Sequence, residues 1–252
     1  MNTYRHLAVL AAIMGLLALA PQQTRAQADD FGLWYELSAE KKLSRLWSVG
    51  AEAEFRTRDN AKTADRWSLG LNAEFKIARW LKASAGYVFL RDNLPEELDL
   101  KSDGLTPNKW TPSYWSTRHR VNVQLTAAVD CRRWKFSLRE RWQYTYRPSA
   151  EGKRFDIDED AWTSVKGKGK NVLRSRLQIG YDIANFKADP YVSAEMFNAM
   201  GIQKMRYTVG IDYKLRKQHT IGLSYKYQNI NDDDDDMARN SHIIGLSYKF
   251  KF

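Results

Sequence analysis

Charged side chains recur at two-residue spacing in this chain, and they carry what chemistry it offers. Arg118 and Arg120, Arg139 and Arg141, and Arg174 and Arg176 form three such pairs, with Arg206 further on. Glu52 and Glu54, Glu74 and Glu195 stand at matching positions in other segments. Two-residue spacing on a β-strand puts both side chains on one face. Guanidinium and carboxylate groups that meet inside a narrow enclosure pair strongly, often through two parallel hydrogen bonds. Two uses follow: a charge network that fills and stiffens the interior, or a locally positive passage or pocket for anions.

No catalytic set accompanies them. His119 and His242 lie near segment ends and His219 lies in a short connection. Ser241-His242 and Ser116-Thr117-Arg118-His119 differ from the His-x-Ser-Asn type of segment seen in outer-membrane lipases and deacylases. A serine near a histidine means little without a third group to orient the ring. Cys131, in the stretch Asp130 to Arg133, is the sole cysteine, so no internal disulfide forms, and no metal-ligand spacing surrounds it. The acidic groups at Asp232 to Asp236 and at Asp156, Asp158, Glu159 and Asp160 lack the spaced ligands and turn glycine of a calcium loop and read as solvated charge. The expectation is no enzyme activity, no metal and no cofactor.

The elements that must position these charges are strands. Trp47, Val49, Ala51, Ala53 and Phe55 alternate with Ser48, Gly50, Glu52 and Glu54, and Trp67 to Phe75 repeats the beat. Eleven such segments cover about 31–40, 45–58, 65–77, 81–91, 118–128, 133–147, 171–181, 187–198, 203–215, 219–229 and 240–252. A tilted strand needs roughly 9–11 residues to cross a bilayer. Aromatics sit at segment ends: one rim collects Trp47, Phe75, Trp134, Tyr181, Tyr213 and Phe252, the other Phe55, Trp67, Phe89, Tyr146, Tyr207 and Tyr227. Aliphatics such as Leu71, Val123 and Ile211 lie between. Two aromatic girdles around an aliphatic band are what a barrel shows to lipid. The fold expected is all-β: a transmembrane antiparallel up-and-down β-barrel.

Its strand number is ten or twelve. Eleven segments conflict with the even count of single-chain bacterial barrels, so either one strand is missing from the count or the first segment is no full crossing. Connections alternate between short and long, as periplasmic turns and extracellular loops do. Glu140 interrupts the apolar face formed by Trp134, Phe136, Leu138, Trp142 and Tyr144. A bulge that turns it inward is the favoured account; a partner barrel or a groove is the alternative.

Residues 1–28 read as a signal peptide. Arg5 and His6 precede an apolar run of 14 residues, Leu7 to Ala20, stopped by Pro21, with cleavage after Ala26 or Ala28. Residues 29–252 form the barrel. The net charge of +10 invites a nucleic-acid reading, but the basic residues alternate along strands and form no patch with stacking aromatics. Nucleic acid is therefore excluded as a partner, and anionic lipid headgroups, including lipopolysaccharide, are expected instead. Tyr248, Phe250 and Phe252 close the last strand and are expected to serve as the signal read by the outer-membrane assembly machinery.

Several stretches resemble a known family. They are Asp30-Phe31-Gly32-Leu33-Trp34-Tyr35, Trp47 to Arg56, Gly86-Tyr87, Ser137 to Tyr144 and Tyr207 to Tyr213. They are similar to the outer-membrane barrel family labelled domain of unknown function 2490, and the resemblance covers essentially residues 29–252. It implies a bacterial outer-membrane β-barrel and assigns no activity and no functional residue. The expected role is a structural or interaction barrel with a charge-filled lumen in the outer membrane of a Gram-negative bacterium. Alternatives are a narrow channel for small polar or anionic solutes and, further off, a lipid-modifying enzyme.

Overall fold

The computed structural model describes residues 29–184, 186–231 and 239–252. The expected signal peptide and the acidic run Asp232 to Asp236 lie outside them. Fifteen strands follow in order: β1 (Asp30–Lys42), β2 (Trp47–Arg58), β3 (Thr63–Lys76), β4 (Leu81–Leu94), β5 (Glu97–Leu100), β6 (Pro107–Thr111), β7 (Tyr114–Cys131), β8 (Trp134–Arg147), β9 (Ala150–Asp156), β10 (Ala161–Val165), β11 (Lys168–Tyr181), β12 (Ala188–Asn198), β13 (Ile202–Lys214), β14 (His219–Ile230) and β15 (Ser241–Lys251). Eleven of them close into a barrel in the order β1-β15-β14-β13-β12-β11-β8-β7-β4-β3-β2. All eleven alternating segments of the sequence are among them.

The count falls between the expected ten and twelve. The first segment is a full strand, and it pairs in parallel with the last, Asp30 opposite Ser241 through Glu40 opposite Lys251. Every other barrel pair is antiparallel, so one parallel seam absorbs the odd strand. The start of β1 is pinned by the β2–β3 turn, where Asp59, Asn60 and Ala61 have positive φ of 54°, 57° and 64°. The Asp59 and Asn60 amides donate to the Asp30 carboxylate at 3.1 and 3.0 Å. Those donors offset the cost of three consecutive non-glycine residues in the left-handed region.

The wall is apolar outside and polar inside. Leu71 is 66% exposed on the outer face. The girdle residues meet across strands: Trp47 and Phe75 lie 4.8 Å apart between ring centres, and Trp134 and Tyr181 4.9 Å, at the short-turn rim. Trp67 and Phe89 lie 5.6 Å apart at the other. Among the described residues, the buried set has six apolar members and fourteen polar or charged ones, so the enclosed core of this molecule is polar. Long inward side chains lie over inward glycines. A Cβ on Gly210 would come within 2.6 Å of the Tyr191 ring, which occupies that space.

Glu140 is not turned inward by a bulge. The register runs unbroken past it, Leu125 opposite Glu140 on one side and Ser175 on the other. Its carboxylate stays on the outer face and accepts a 2.6 Å hydrogen bond from the Ser175 hydroxyl. Cys131 is the exposed last residue of β7, just ahead of the turn.

The two longest connections carry a second sheet, ordered β10-β9-β6-β5, at the long-loop rim. Leu98, Trp110, Phe155 and Trp162 stand directly opposite one another across its four strands. Its β5–β6 turn is held by Asp103, whose carboxylate accepts from the Leu105 and Thr106 amides, each at 2.9 Å, and from the Thr106 hydroxyl. Those donors, the Thr106 hydroxyl foremost, hold the Asp103 pKa down at about 2.

Candidate functional site: the charged lumen

Glu195, on β12, is the hub of the interior. Its Oε1 accepts from Arg139 at 2.5 Å and from Arg174 at 3.0 Å, and its Oε2 accepts from Arg174 at 3.1 Å and Arg206 at 3.2 Å. The three arginines come from β8, β11 and β13, so one carboxylate ties four strands together. Neutral acceptors complete their shells. Gln143 accepts from Arg174 at 3.2 Å, and Gln228 accepts twice from Arg206, at 3.3 and 2.9 Å. Glu195 and Arg206 are buried. A charge in such a place is tolerated only when paired and hydrogen-bonded.

A second hub is Asp92. Arg66 holds it with two hydrogen bonds, at 2.5 and 2.9 Å, and Arg118 lies 3.0 Å away. The remaining predicted residues divide. Glu54 pairs with Arg56 at 2.7 Å. Glu74 pairs with Lys82 at 2.7 Å near the short-turn rim and, among the described residues, with no guanidinium. Arg120 donates to Thr145 and Arg141 to Gln124, each at 2.9 Å. Glu52 and Arg176 make no ion pair or hydrogen bond among the described residues. The expected basic wall on β7, β8 and β11 is present, but pairs reaching to it from Glu52, Glu54 and Glu74 are not. Arg139 stands opposite Arg176, and Arg141 opposite Arg174. Like charges placed so oppose pairing of the sheet, and Glu195 relieves only part of that.

Sequence reasoning passed over several participants. Trp34 lies under Arg56 at 3.7 Å and near Arg206 and Lys226. Phe197 lies beneath Arg174, Lys204 and Arg206. All share the inward parity of residues already singled out, so parity was the available signal. Asp92 was hidden because it falls just past the segment ending at 91. At the short-turn rim, Asp189 binds Lys135 at 3.0 Å and Lys214 at 2.7 Å, and Glu40 binds Lys249 at 3.1 Å. The C-terminal Tyr248 and Phe250 face outward, where both meet His219; Phe252 stacks edge-on against Phe250 at 4.3 Å.

The three described histidines lie on the outer wall beside tyrosines. His119 meets the Tyr87 hydroxyl, His219 that of Tyr248 and His242 that of Tyr225, each at 2.6 Å.

Comparison with solved structures agrees with the fold. The beta domain of the Bordetella autotransporter Brka is similar at a TM-score of 0.50 and 14% identity, over 80% of this chain and 79% of that one. The NanC porin is similar at a TM-score of 0.47 and 16% identity, over 88% of this chain and 100% of that one. No curated protein matches the sequence. The architecture is thus a closed β-barrel of the kind seen in the autotransporter beta domain, and the match over residues 31–239 shows that the chain belongs to the family described as protein of unknown function (DUF2490).

Proposed function

We propose that this protein resides in the outer membrane of a Gram-negative bacterium as a barrel whose lumen is closed by its own charged side chains. It acts there as a structural or interaction protein and not as an open pore. The observation that carries this reading is Glu195, gripped by guanidiniums from three other strands and buried with Arg206 and Gln228. In this orientation the short turns face the periplasm and the sheet of β5, β6, β9 and β10 faces outward. Trp110, Phe155 and Trp162 on that sheet, with the basic residues near it, suit contact with lipopolysaccharide or another surface component. No enzyme activity is part of the reading, because each described histidine is engaged by a tyrosine and none by a serine.

The purified barrel in planar bilayers is expected to show no steady conductance. Steady, anion-selective single-channel currents would overturn the closed lumen. They would support instead a narrow path for small anions along Arg120, Arg141 and Arg176, which pair with no carboxylate among the described residues.

The last strand is proposed as the element recognised during assembly. Phe252 is 63% exposed, and its amide donates to the Glu40 carbonyl at 2.9 Å, closing the end of the seam. Deletion of Phe252 is expected to lower the amount of barrel recovered in the outer-membrane fraction and to raise periplasmic degradation. An unchanged yield on fractionation would count against it.

A further inference from the structure

We infer that the lumen contains a binding site for a compact, multiply charged oxyanion of the phosphate class, between Lys204 and Lys226 beside Arg206. This deepens the closed-lumen reading, since it names the ligand class of the same interior.

Five cations converge on two aromatic rings there. Arg56, Arg206 and Lys226 lie 3.7, 4.8 and 5.1 Å from the centre of the Trp34 ring. Arg174, Lys204 and Arg206 lie 4.5, 4.5 and 4.8 Å from that of Phe197. Arg206 reaches both rings and so makes one cluster of the two. The carboxylates in contact are already shared out. Glu54 serves Arg56, while Glu195 serves Arg174 and Arg206 and takes a third guanidinium, Arg139. That leaves the two ammonium groups. Among the described residues, neither makes an ion pair or a hydrogen bond: Lys204 rests on the face of Phe197, and Lys226 rests on Trp34 with Glu36 and Glu54 acting on it only from beyond ion-pair distance.

Ring faces offset part of the lost hydration of a cation but leave its three N–H donors unused. Holding several like charges together in an enclosed interior is unfavourable unless an anion joins them or a lysine gives up its proton, and a bound anion is the relief that keeps both lysines charged. The backbone makes room for this arrangement. A Cβ on Gly245 would collide with the Lys226 ammonium, so that glycine is what allows the headgroup to sit where it does. Two ammoniums and the free edges of guanidiniums suit an ion with several oxygens and more than one charge. A single carboxylate would leave most of the surplus in place. These side chains all lie on the inner face of the wall, so acyl chains outside it cannot accompany the ion, and the expected ligand is a free phosphate or diphosphate.

The test is the thermal unfolding midpoint of the purified barrel in detergent micelles, titrated with inorganic diphosphate at constant ionic strength. A saturable rise in the midpoint is expected, as for any ligand that binds only the folded state. Lys204→Met and Lys226→Met should each weaken apparent affinity by about tenfold, the size of one lost charge-assisted hydrogen bond. Both variants should fold, because removing a cation from the surplus raises the unliganded midpoint. Lys249→Met, at the other rim, should bind as the wild type does. Calorimetric titration of the wild type gives a check free of any variant. A flat titration, an equal rise with potassium chloride, or full affinity in Lys204→Met and Lys226→Met would overturn the site. A rise that requires added lipopolysaccharide would also overturn it. Conductance in planar bilayers would remove the closed-lumen reading and leave the binding curve standing. A flat curve would remove the site and leave the closed lumen standing.

Discussion

Replacing Glu195 by Gln is expected to destabilise the barrel by about 3–5 kcal/mol, the cost of breaking a buried ion pair by removing one partner. The amide oxygen still accepts hydrogen bonds but carries no charge, so Arg139, Arg174 and Arg206 lose their common counterion at once. The side chains of all four residues are only 6–12% exposed, so water cannot easily take its place. Denaturant unfolding in lipid vesicles is the measurement. A loss below about 1 kcal/mol, the scale of an exposed pair, would mean that the three guanidiniums are neutralised elsewhere. Glu74→Gln makes a good comparison. Its partner Lys82 is 45% exposed, so this variant should cost little.

Leu71→Arg should cost about 2–4 kcal/mol, the penalty for a cation near the bilayer midplane on a lipid-facing strand position. Ile211→Arg should act in the same direction, since Ile211 is also exposed on the outer wall. The neighbouring Asn72→Arg should be milder, because Asn72 faces the lumen. Unfolding measured in the same vesicles would separate the two faces. Equal losses for Leu71→Arg and Asn72→Arg would overturn the membrane register.

The alternation of apolar and polar residues made the wall legible. It located the eleven barrel strands to within a few residues, and the belts containing Trp47 with Phe75 and Trp67 with Phe89 fell on the rims expected of them. The strand number was not legible, because nothing local in Asp30 to Lys42 says whether its free edge will meet a parallel or an antiparallel neighbour. The small outer sheet was missed for a related reason. Its strands are short, and β6 and β9 pair between two different loops. In the lumen, parity showed which residues face inward but not which of them meet. Arg176 stands directly opposite Glu195, yet the carboxylate pairs with Arg139, two strands away. Barrel stagger and side-chain reach decide that, and neither is written in a two-residue period. Glu140 had a visible clue, since Ser175 occupies the outward position between Leu173 and Leu177.

The parallel seam bears on how the cylinder is completed and where it can part. A hairpin can zip from its turn, but β1 and β15 share none, and the contact between Asp29 and His242 joins residues 213 positions apart. Bringing such distant segments together carries the largest loop-closure entropy in the wall. The seam is therefore expected to be the last joint made. Parallel pairing is also slightly weaker per residue than antiparallel pairing. Amide hydrogens of β1 that point toward β15 should exchange sooner than those on the central strands β8 and β11. A lateral opening of the cylinder, whether during insertion or later, would begin at this line.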